Sequence, residues 1–148
     1  MLDVRAIHAA VKREDFGTAW KLGNEALNRD PDNPEVLYLV GCALRAAGNV
    51  GLALNALAKA LAKESKQPNL WMVYAACLHD MNRWAEAEKA FAHVHKMLPD
   101  DPMPPANIGA TYVQRGMWRT AITWCDKALA LDADSHIARI SKAFASLS

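Results

Sequence analysis

The sequence lacks most of the features that announce a chemistry. Seventeen basic against sixteen acidic side chains leave a formal charge of only +1 over 148 residues. Nucleic-acid binders carry a visible basic surplus that displaces counterions, so no nucleic-acid partner is expected. No apolar run approaches the roughly 20 residues that a membrane span needs, and no membrane partner is expected either. With Asp3 and Arg5 in its opening residues, the chain shows no apolar core of a secretory leader there. Cysteines are few: Cys42, Cys77 and Cys125, an odd number with no Cys-x-x-Cys pair. That excludes a disulfide scaffold and reads as reduced thiols in a cytoplasmic setting. There is no low-complexity segment and no charge block. None of the seven glycines belongs to a phosphate-cradling loop. No stretch alternates with period two, so no strand is predicted.

What the chain does have is apolar content, 52%, enough to bury a core without metal or disulfide. It also has a period. Pro34, Pro68 and Pro102 stand 34 residues apart, and so do Ala19, Ala53, Ala87 and Ala121. Phe16, Val50, Trp84 and Trp118 keep the same interval, as do the small residues Gly41, Ala75 and Gly109. A fixed period of this size signals stacked supersecondary units.

Each unit has a physical logic. Asn33 before Pro34, and Asp101 before Pro102, place a capping side chain ahead of a proline at the first helical position, where its missing N–H costs nothing. Leu37, Val40, Gly41 and Leu44 then form an apolar stripe at helical spacing. Gly48, Asn82 and Gly116 fall at the following turn, where the backbone needs a residue tolerant of positive φ. A second helix follows, as in Trp84, Ala87, Ala90, Phe91 and Val94. Two such helices with a short connection lie antiparallel, and neighbouring hairpins must stack to hide their apolar faces. The spacing predicts helices over 2–13, 16–29, 34–47, 50–63, 68–81, 84–97, 103–115, 118–131 and 136–147, in one continuous array.

On these residues the chain resembles the tetratricopeptide repeat family. The third repeat carries the pattern as Trp71, Tyr74, Ala75, Leu78, Trp84, Ala87, Phe91 and Pro99, the fourth as Ile108, Gly109, Tyr112, Gly116, Trp118, Ala121 and Ala128. The first repeat departs from it, with Ile7 where a small residue is usual and Glu14 in place of the turn glycine. Pro105 replaces a large apolar residue in the fourth. The resemblance implies an all-α, right-handed superhelical α-solenoid of antiparallel helix pairs. Its four units would span about 1–33, 34–67, 68–101 and 102–135, with a C-terminal capping helix at 136–147. In that last helix Ile137, Ile140, Phe144 and Leu147 are expected to pack back on the fourth repeat.

The resemblance also implies a protein-binding scaffold with no catalytic role and no cofactor. Another protein or a peptide would lie on the inner face made by the first helix of each pair. The groove residues carried over are Tyr38, Cys42, Arg45, Asn69, Met72, His79, Met103 and Asn107. Further inner-face positions are Val4, His8, Ala76, Ala106, Ala110, Val113, Ile140 and Phe144. The carboxylate clamp of some relatives, built from Lys, Asn and Arg, has no counterpart. Its places hold Val4, His8, Leu39, Asn69 and Val73, or, one repeat on, Tyr38, Cys42, Val73, Met103 and Asn107. An apolar and aromatic groove remains, suited to an amphipathic helix or extended apolar peptide. Tyr38, Met72 and Met103 are expected to be exposed in it, whereas Ala76, Ala106 and Ala110 are read as small for close helix approach.

Other constellations carry no chemistry. His93 and His95, two apart on a helix, point to different faces and read as solvated histidines, so no metal site is expected. Asp134, Ser135 and His136 are adjacent and cannot form a catalytic triad; Ser135 reads as a helix N-cap. Trp20 and Trp124 are read as packing residues. Two functions are consistent with the pattern. One is a stand-alone adaptor or chaperone-like interaction module; the other is the N-terminal recognition segment of a longer enzyme such as a glycosyltransferase.

Overall fold

The computed structural model describes residues 4–148. Among them are nine helices and no strand: α1 (Val4–Lys12), α2 (Phe16–Arg29), α3 (Pro34–Ala46), α4 (Val50–Lys63), α5 (Pro68–Asp80), α6 (Trp84–Met97), α7 (Met103–Gln114), α8 (Trp118–Leu131) and α9 (His136–Ser146). The order matches the nine helices expected from the 34-residue period; the expected start of the first, at residue 2, lies outside the described residues. The chain divides into two compact units, one running to Cys77 and one from Leu78, with the boundary inside α5.

In the first unit α1 packs on α2 and α3, α2 on α3, and α3 on α4. The α3 start is built as its sequence suggests. Asn33 Oδ1 accepts hydrogen bonds from the Glu35 and Val36 backbone N–H groups at 3.1 and 3.2 Å, with Pro34 at the first helical position. Val36, Leu37, Leu39, Val40 and Leu44 are all buried. Gly41 is there for close approach: a Cβ at this position would meet Leu57 Cγ at 2.8 Å. Leu57, wholly buried, contributes about 1.5–3 kcal/mol of transfer free energy, and only glycine opposite it leaves room.

In the second unit α6 packs on α7, α7 on α8, and α9 on both α7 and α8. Helix α7 begins at Met103, so Pro102 sits just outside it and not at its first helical position; Asp101 still caps it, accepting from Met103 N at 2.9 Å. Pro104 and Pro105 are buried within its first turn. The helix tolerates both because first-turn N–H groups have no intrahelical acceptor to lose. Glu88 of α6 straps the unit: it accepts from the Tyr112 hydroxyl and, at 3.0 Å, from Arg115 Nη1.

The turn after the first helix of each pair takes a left-handed residue every 34 positions. Glu14, Gly48, Asn82 and Gly116 have φ of 61°, 89°, 61° and 71°. The geometry therefore survives even where Glu14 stands in the glycine place.

Three further expectations need correction. Helix α9 packs through the small stripe Ala138, Ser141 and Ala145, while Ile140, Phe144 and Leu147 remain 60%, 57% and 90% exposed. Of the expected stripe, Ile137 packs against the cluster of Ala106, Cys125, Ala128 and Ala138 and the Phe144 ring lies 6.1 Å from that of Trp118 on α8, but Ile140 and Leu147 stay outside the core, so helical spacing alone overstated the buried face. Trp20 is exposed rather than packed. His95 is no solvated surface residue: its Nδ1 is buried without a hydrogen-bond partner among the described residues, and its ring lies edge-on to Trp124 at 5.9 Å.

Candidate functional site

The residues expected to bind a partner fall into two groups, one in each unit. In the first unit, Tyr38 and Asn69 line one pocket of about 510 Å³, at the starts of α3 and α5. Asn33, Pro34 and Glu35 form its α3 wall, Glu64 and Gln67 its α4–α5 loop wall, and Leu70 closes it beside Asn69. The loop wall is held in place: Trp71 Nε1 donates to the Ser65 carbonyl at 2.7 Å, and the Trp71 ring meets Tyr74 edge-on at 5.9 Å. Asn33 is committed to capping α3, whereas Glu35 and Glu64 reach solvent.

One turn beyond Tyr38, Cys42 pairs with it. Burial, reinforced by the Cys42 sulfur, pushes the Tyr38 phenol up to about 12. Burial also raises the Cys42 thiol, against the opposing hydrogen bond from Tyr38 and the Arg45 charge. Both groups are therefore neutral near pH 7, and this face offers shape and hydrogen bonding, not charge. Met72 is half-buried and Arg45 exposed; neither lines the pocket.

In the second unit, Met103 is 43% exposed and Asn107 half-buried, one turn apart on α7. The Asn107 side chain is spent locally, its Nδ2 donating to the Met103 carbonyl at 3.0 Å. His79 is half-buried, with Nδ1 3.1 Å from Thr111 Oγ1. Thr111 is fully buried and donates its only hydroxyl proton to the Asn107 carbonyl at 2.9 Å. Its oxygen must then accept from His79, which places the ring proton on Nδ1. Thr111 was missed in the sequence because one buried hydroxyl on a helix leaves no periodic signature. Glu35 and Glu64 were missed because they come together only in the fold. Ala106 is buried with Cys125, Ala128 and Ala138, as its small size suggests, while Ala76 and Ala110 are half-buried.

No group of three or more His, Cys, Asp or Glu among the described residues could hold a metal ion. No described helix is long and apolar enough to cross a membrane.

Stacked antiparallel helix pairs on a 34-residue ruler, with left-handed turns and capped helix starts, define the tetratricopeptide class of helical repeat. A family model described as "Anaphase-promoting complex, cyclosome, subunit 3" matches residues 12–94, more than half of the chain, which therefore belongs to this family of tetratricopeptide type. Solved structures agree on the fold. YrrB, described as a TPR protein with an unusual peptide-binding site, is 25% identical with a TM-score of 0.87, over 93% of this chain and 71% of its own. MamA from Desulfovibrio magneticus is 20% identical with a TM-score of 0.87, over 95% of this chain and 80% of its own. A tetratricopeptide repeat protein from Parabacteroides merdae is 20% identical with a TM-score of 0.82, over 97% of this chain and 57% of its own. No curated protein matches the chain in sequence. The fold is thus an α-solenoid of helix pairs, a class of protein–protein interaction module that is generally non-catalytic.

Proposed function

We propose that the chain is an adaptor or chaperone-like module that binds an apolar peptide or amphipathic helix of another protein and catalyses no reaction. The observation that carries this reading is the first unit's pocket, which unites Tyr38 and Asn69 on the first helices of consecutive pairs. The half-buried Met72 lies one turn after Asn69 on α5. Tyrosine supplies rigid contact area with a polar tip, and methionine adapts to varied partners. A further support is the peptide-binding site of YrrB, a fold relative. In the second unit Met103, Asn107 and His79 are the corresponding candidates.

The test is a peptide array probed with the full chain, followed by affinity measurement on the best binders. Replacing Tyr38 and Met72 together by Ala should weaken binding by about 30-fold or more, the equivalent of a lost hot spot of about 2 kcal/mol, with helicity by circular dichroism preserved. Binding of unchanged affinity in that double variant would exclude this face.

A further inference from the structure

We draw no further inference here: the strongest candidate, the exposed apolar ridge of Ile140, Phe144 and Leu147 on helix α9 in the second unit, carries nothing, because nothing in the structure shows what covers it.

Discussion

Helices α3 and α9 occupy the same place in the repeat, three periods apart, and bury different amounts of themselves. Both turn one stripe against the preceding helix pair: Val36, Leu39 and Ala43 in α3, Ala138, Ser141 and Ala145 in α9, all buried. The second stripe separates them. In α3 it reads Leu37, Val40, Gly41 and Leu44, buried against α4. In α9 the matching residues are Arg139, Lys142, Ala143 and Ser146, none of them buried, and Lys142 Nζ pairs with Asp126 at 2.7 Å. The third stripe holds the positions proposed to face a partner, half-buried Tyr38 and Cys42 in α3 but exposed Ile140 and Phe144 in α9. The comparison teaches that a residue's place in the repeat, and the helix that follows it, decide its burial. Hydropathy alone does not.

Matched substitutions in the two helices test that rule, beginning with the largest expected effect. Leu37→Ala removes a side chain only 3% exposed and should cost about 2–5 kcal/mol in urea unfolding. The matched Arg139→Ala should stay within about 0.5 kcal/mol. Similar losses at both sites would break the comparison. Next, Gly41→Val drives a Cβ to within 2.8 Å of Leu57 Cγ and should cost about 1–3 kcal/mol by overpacking. Ala143→Val, on an exposed position, should barely move the melting temperature; a drop as large as that of Gly41→Val would show that α9 has a covered second face after all.

The caps give a smaller contrast. Asn33 accepts two backbone N–H bonds at the α3 start, whereas Ser135, although at the N-cap of α9, makes no side-chain cap bond. Asn33→Ala should therefore cost about 1 kcal/mol and Ser135→Ala a few tenths at most, a difference resolved by thermal melts run side by side. Equal shifts would mean that the cap bonds at α3 carry little of its stability.

The smallest effect is a pH dependence. Tyr38 titrates at about 12 in the fold, above its ordinary value near 10. Raising an acid's pKa on folding adds stability that is whole below the unfolded value and is lost as pH climbs toward the folded one. The melting temperature should thus fall between about pH 10 and 12, and Tyr38→Phe should flatten that fall and remove the latest step of the tyrosinate absorbance titration. An alkaline profile identical in Tyr38→Phe would place the buried phenol elsewhere.

Most of the fold is legible in the sequence because the repeat writes the same instruction several times. Pro34, Gly41 and Gly48 each recur, in kind, one period later, and the nine helices follow. What the pattern conceals is which face has a neighbour. Ile140, Phe144 and Leu147 have helical spacing, yet the helix turns Ala138 and Ser141 inward, because close contact with α7 and α8 selects small residues. The candidate site was half legible. Tyr38 and Asn69 sit at repeat positions that the family pattern marks, but Glu35 and Glu64 are separated in sequence and join one pocket only when the α4–α5 loop folds against α3.

The contact between Gly109 and Cys125 has a kinetic consequence. Cys125 is fully buried, its sulfur would lie 2.6 Å from any Cβ placed on Gly109, and burial raises its thiol above the ordinary range. Little thiolate forms at neutral pH, and an alkylating reagent has no approach while α7 and α8 are closed. Modification must wait for the packing of α7, α8 and α9 around it to open, since Cys125 shares one buried cluster with Ala106 and Ala138. The cysteine is thereby a natural timer for local opening: under native conditions its labelling rate reads the opening equilibrium of that three-helix packing, without any probe having to be introduced.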